Sequence, residues 1–119
     1  MGAYEPKYLY HDAVSATFSA AVTGGQVVAV SSNGTLGPAA ADSNAVVGVA
    51  AQDVAINGRG AYFPRGKVHV STASGAITAA ARVNAGASGT VASAAAGVGN
   101  IGIALTTAAD TAAVEWMEI

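Results

Sequence analysis

The chain has 119 residues, with five Lys and Arg against seven Asp and Glu, a net charge of −2, no cysteine, and 10% charged residues beside 52% apolar ones. That length suits one domain with a real core. The charge balance leaves no electrostatic footprint for a nucleic acid backbone, and the missing thiols exclude disulfides and thiolate metal sites.

The opening MGAYEPKYLYHD carries charges and prolines where a signal peptide needs an apolar run, and Pro6 stands where a myristoylation motif needs Ser or Thr. The chain is therefore expected to act unprocessed. Tyr4, Tyr8 and Tyr10 all fall on even positions, with Pro6 between them, so an extended arm over residues 1–13 presents them along one face. Burial of each tyrosine is worth about 1.5 to 3 kcal/mol, which favours an arm laid on a neighbouring protein over one packed on its own domain. His11 closes this contact set.

Residues 14–119 read as a single β-rich domain. Alanine favours helix, but Gly, Asn, Ser and Thr cut the alanine-rich stretches before they reach helical length. Strands are expected at Ser15 to Ala20, Gln26 to Ser31, Ala45 to Ala50, Lys67 to Thr72, Thr90 to Ser93, Ile101 to Leu105 and Ala112 to Ile119, all short and β-branched or aromatic. Asn33-Gly34 predicts a tight hairpin, and Gly24-Gly25, Asn57-Gly58 and Gly86 to Gly89 mark further reversals. In KVHVST, Val68 and Val70 point one way and Lys67, His69 and Ser71 the other, with one face wet.

Short helical turns are expected at Ala50 to Ala55 and Thr106 to Thr111, plugging barrel ends. No repeat of about 20 to 50 residues stands out, and no apolar stretch approaches the roughly 20 residues that span a bilayer, so no membrane contact is expected. The fold class is all-β, mainly antiparallel: a small barrel or sandwich.

Chemistry-bearing constellations are thin. Asp53 has only Gln52, Asn57 and Arg59 nearby in sequence, so it reads as a structural group that accepts backbone N–H bonds at a turn or pairs with Arg59, not as a catalytic acid. Gly97-Val98-Gly99-Asn100-Ile101-Gly102 matches a dinucleotide fingerprint, but that motif needs a helix after its last glycine, and here IGIAL reads as strand. No cofactor is expected. His11 and His69 lie far apart and lack carboxylates at ligand spacing, so no metal is expected either. No serine stands in a nucleophile setting, Asn33-Gly34-Thr35 reads as a hairpin before it reads as a glycosylation site, and no enzyme is expected. Gly58 to His69 gathers Arg59, Arg65 and Lys67 around Tyr62 and Phe63, and reads either as a solvated loop or as a contact with an aromatic anchor.

The order VVGVAAQDVAING, then KVHV, then SGAITAAARVNAGASGTV, and finally GNIGIALTTAADTAAVEWMEI resembles the small capsid decoration, or cement, proteins of long-tailed bacteriophages over nearly the whole chain. The resemblance implies a compact β-barrel or tulip-like β domain. It implies a homo-oligomer, with a trimer favoured, made in the bacterial host cytoplasm and fixed to the outside of the virion capsid, where it clamps major capsid protein subunits. The arm and the Arg59 to Arg65 segment are the expected contacts. A receptor- or carbohydrate-binding module, with Tyr62, Phe63 and Trp116 as stacking platforms, is the competing expectation.

Overall fold

The computed structural model describes residues 13–94 and 100–119. Among them run ten strands: β1 (Val14–Phe18), β2 (Val27–Ser32), β3 (Thr35–Pro38), β4 (Val46–Ala50), β5 (Arg59–Pro64), β6 (Val68–Thr72), β7 (Arg82–Ala85), β8 (Val91–Ser93), β9 (Gly102–Ala104) and β10 (Ala113–Glu118). The fold is all-β. β1 to β5 close into a barrel in the order β1-β3-β2-β4-β5, and the rest form a second five-stranded sheet in the order β6-β10-β9-β7-β8. A parallel bridge from Ala73 to Val91 brings the two edges of that sheet together.

The second unit repeats the first. Read around its curl, its order is β6-β8-β7-β9-β10, the order of the barrel with every strand advanced by five. β1 runs parallel to β3, as the Ala73–Val91 bridge is parallel, and all other pairings are antiparallel in both units. The isolated bridge Val22–Val54 has its counterpart in Ile77–Ala108. Phe18 donates its N–H to Gly58 and accepts one from Asn57; Ala73 does the same with Ala112 and Thr111. The period is about 55 residues, longer than the window in which the sequence shows no repeat.

The core obeys the same correspondence. Phe18, Val22, Val28, Leu36, Ala50 and Val54 fill the barrel, and Ala73, Ile77, Val83, Val91, Ala104 and Ala108 occupy the matching places in the second unit. Alanine replaces phenylalanine and valine there. The lost volume is made up by Trp116, which is fully buried and belongs to the same cluster. That cluster also takes in Val27, Ala29, Val46 and Val49 from the outer surface of the barrel, so the two units share one continuous apolar joint.

Three strands escaped the sequence reading. β3 contains Gly37 and Pro38, β7 has one valine beside Arg82 and Asn84, and β5 lies in the basic segment that reads either as a solvated loop or as a contact with an aromatic anchor. Tertiary pairing overrides weak local propensity in each case, because β5 is held between β1 and β4 on both edges. Neither expected helical turn forms. Val54 and Ala108 instead make the single bridges that cross to Val22 and Ile77, and the described helical turn is a 3₁₀ turn at Ala87–Gly89. The hairpin at Asn33-Gly34 joins β2 to β3 with Ser32 opposite Thr35, and Gly34 alone takes the positive φ, at 78°.

Candidate interaction surface

β6 shows the expected alternation with the opposite polarity. Val68 and Val70 are 55% and 59% exposed, while His69 and Ser71 are buried. The reason lies across the strand pair, where Trp116 of β10 stands opposite His69. The indole needs an interior site and a partner for its N–H, and Ser71 supplies one: Trp116 Nε1 donates to Ser71 Oγ at 2.9 Å, and Ser71 Oγ donates to the Gly25 carbonyl at 2.7 Å. This relay ties the second unit to the barrel. It turns the polar side of β6 inward and leaves the valines outside.

The outward strip continues across the sheet. Val68 pairs with Met117 and Met117 with Ile103, while Val70 faces Glu115. Met117 is 38% exposed and Leu105, beyond β9 on the same side as Ile103, is 43% exposed. The result is an aliphatic strip on the sheet face, flanked by the exposed charges of Glu115 and Arg82, and monomeric proteins seldom leave a contiguous apolar patch uncovered. Sequence reasoning missed it, since alternation marks two faces without saying which is inside.

The residues expected to make contacts fall into three places. Tyr4, Pro6, Tyr8, Tyr10 and His11 lie outside the described residues. Arg59, Tyr62 and Phe63 belong to β5, which sends the two rings to opposite sides instead of presenting one aromatic anchor. Tyr62 packs on the barrel core and lines, with Val14, Ala16, Val30 and Leu36, a depression of about 250 Å³ at the mouth of the barrel. Phe63 turns toward the second unit, with its ring centroid 6.1 Å from that of His69. Arg59 donates to Thr17 Oγ1 at 3.4 Å.

Arg65 leads into a buried polar group at the joint. Its Nε lies 2.8 Å from the Ile119 carbonyl oxygen and 3.9 Å from Glu118 Oε2, and His69 Nε2 lies 3.4 Å from Glu118 Oε1. The Glu118 side chain is wholly inaccessible to solvent. Among the described residues no aligned hydrogen bond reaches either Glu118 oxygen or His69 Nε2, so the imidazole and the guanidinium offset the burial of the carboxyl group only by their proximity.

Asp53 accepts the Gly24 N–H at 2.9 Å, a bond that clips the segment after β4 onto the turn before β2. Trp116 is fully buried and cannot serve as a stacking platform, which removes one of the three rings of the carbohydrate-binding expectation. Among the described residues no three of His, Cys, Asp and Glu come together around a point where a cation could sit. Of the glycine-rich fingerprint, Gly97 to Gly99 lie outside the described residues; Gly102, its last glycine, opens β9 and not a helix. Among the described residues no helix is long and apolar enough to cross a membrane.

No family model and no curated protein matches the sequence. Among solved structures, the chain is similar to the crystal structure of the head fiber gp8.5 N base in bacteriophage phi29, with a TM-score of 0.71 and 17% sequence identity over 90% of this chain and 92% of that one. At that identity the likeness is one of fold, and it extends over both five-stranded units: the chain shares its architecture with the base of a phage head fiber, a virion structural protein.

Proposed function

We propose that the protein is a structural component of a tailed-phage virion that attaches to the outside of the expanded capsid and stabilises it by bridging neighbouring major capsid subunits. The carrying observation is the whole-chain fold similarity to a head fiber base. The apolar strip of Val68, Val70, Ile103 and Met117, with the opposite charges of Glu115 and Arg82 beside it, supports it, because a part that works by contact needs exposed apolar surface and not a pocket. Such a protein acts by mass action. Binding only the expanded lattice shifts the shell toward that state, and many copies multiply a modest term.

In this reading the protein works as a homo-oligomer, and no bond is made or broken. Residues 1–13 serve as a tether that adds contact with the shell or with the next copy. The test is cosedimentation of the purified chain with heads of the phage whose genome carries the gene, before and after expansion. Binding to expanded heads alone is expected, and deletion of Met1 to His11 weakens it while leaving the fold intact. Equal binding to both head forms, or to neither, overturns the capsid-stabilising reading; undiminished binding after the deletion removes the tether.

A further inference from the structure

The joint between the two units joins unlike surfaces. From the barrel it takes the outer face of β2, β4 and β5, carrying Val27, Val49 and Phe63; from the second unit it takes the mouth, carrying His69, Ser71 and Trp116. Further bonds seat the two, among them one from the Asn84 side-chain amide to Asp42 Oδ1. Asp42 N–H reaches the Ala85 carbonyl, Gly89 N–H reaches Ala39, and the Gln26 side-chain amide reaches Ser88. The second unit's mouth is thus closed by the barrel's flank.

The repeat means that each unit owns both kinds of surface. The barrel's own mouth corresponds to the covered one: Val14, Ala16 and Tyr62 stand where His69, Ser71 and Trp116 stand in the second unit. It is not closed. Val30 at its rim is 49% exposed, and the depression beside Tyr62 and Leu36 stays open. Likewise, Ile103 and Met117 hold the places of Val49 and Phe63, and the half-buried Ile103 continues the strip of exposed Met117 and Val68. Among the described residues, one chain therefore carries a second, uncovered copy of each half of its own joint.

We infer that a second copy of this chain occupies these surfaces, with the outer face of its second unit, centred on Met117 and Ile103, docked into the barrel mouth around Tyr62 and Val30. Continuity with the internal joint names this occupant: the contact made once inside the chain is made again between chains. Because it joins unlike surfaces, it is heterologous. It closes into a ring if the rotation between copies returns on itself and runs on as a filament if it does not. Apolar rings and aliphatic side chains meet at the centre, with two charges of opposite sign on the outer face to keep at the rim: Glu115, opposite Val70, and Arg82, opposite Ile103. This deepens the homo-oligomer part of the proposed function, but its test runs in solution without capsids, so either can fail while the other stands.

The experiment uses the full chain and two variants at exposed positions, Val30→Glu in the mouth and Met117→Glu on the outer face, each checked for an unchanged far-ultraviolet circular dichroism spectrum and melting curve. Tyr62→Ala and Val68→Glu serve as second variants of the same surfaces should either fail that check. Analytical ultracentrifugation is expected to show that the parent chain self-associates and that each variant does so about a hundredfold more weakly. Mixing the two variants restores one good mouth and one good face, and gives heterodimers that grow no further. Three results overturn the inference: a monomeric parent chain, self-association that either variant retains, or a mixture that stays monomeric. Retention by Met117→Glu alone would indicate mouth-to-mouth pairing, and retention by Val30→Glu alone would leave the mouth to some other segment.

Discussion

Truncation of Trp116 is the sharpest test of how the second unit holds together. The side chain is fully buried, and its N–H bonds to Ser71 Oγ, which bonds in turn to Gly25 in the barrel. Removing the indole as Trp116→Ala forfeits its burial and leaves a cavity, at a cost of about 3 to 5 kcal/mol. Ser71 then loses one partner but keeps the other. A domain of this size has about 5 to 15 kcal/mol in total, so the variant sits near the edge of folding, with its melting temperature lowered by roughly 10 to 25 °C. Ser71→Ala acts on the other half of the relay and orphans the indole N–H, costing about 1 to 3 kcal/mol. Combined with Trp116→Phe it should cost less than the two losses added, by about 1 kcal/mol, since both remove one bond. The assay is urea unfolding, followed by circular dichroism for the Trp116 variants and by fluorescence where Trp116, the one tryptophan, remains. A loss below about 1 kcal/mol for Trp116→Ala, or strict additivity in the cycle, would refute the buried relay.

The repeat yields further tests. Gly48→Ala and Gly102→Ala each push a methyl group into the backbone carbonyl of the facing strand, at Phe63 and Met117; both should cost about 2 kcal/mol or more in chemical denaturation, since backbone cannot yield as a side chain can. Thr111 holds a φ of 67° where its counterpart Asn57 holds 64°, and a β-branched residue is strained there. Thr111→Asn should therefore raise the melting temperature, by about 0.5 to 1 kcal/mol of stability. His69→Leu leaves the buried Glu118 with the more distant Arg65 alone and should cost roughly 3 kcal/mol, whereas the double variant with Glu118→Leu should recover most of that in the same assay. Asp53→Ala should lose about 1 kcal/mol with the Gly24 bond and leave attachment to heads unchanged in sedimentation.

The all-β class was legible because turn residues punctuate the chain every few positions, β2, β4 and β6 lie on valine-rich runs, and β10 alternates Val114, Trp116 and polar residues. β3, β5 and β7 were not legible, since their glycine, proline and arginine say loop and only pairing on both edges makes them strands. The repeat left a short trace: Val47-Gly48-Val49-Ala50 in one half and Ile101-Gly102-Ile103-Ala104 in the other, with both glycines lying against a facing carbonyl. Small-residue sequence conceals such a signal, because alanine can stand for phenylalanine, as Ala73 does for Phe18, once a tryptophan elsewhere fills the space. Which face of β6 is buried was beyond reach for a similar reason. Val68 and Val70 look like core until the indole opposite His69 and the Ser71 relay to Gly25 are known.

A cryo-electron map of the virion whose genome carries the gene tests the central claim most directly. The account predicts density for paired five-stranded units seated on the outer surface of the expanded head, over junctions between major capsid subunits. A head of that phage bearing no such density, with the protein recovered only from the soluble fraction, would contradict it.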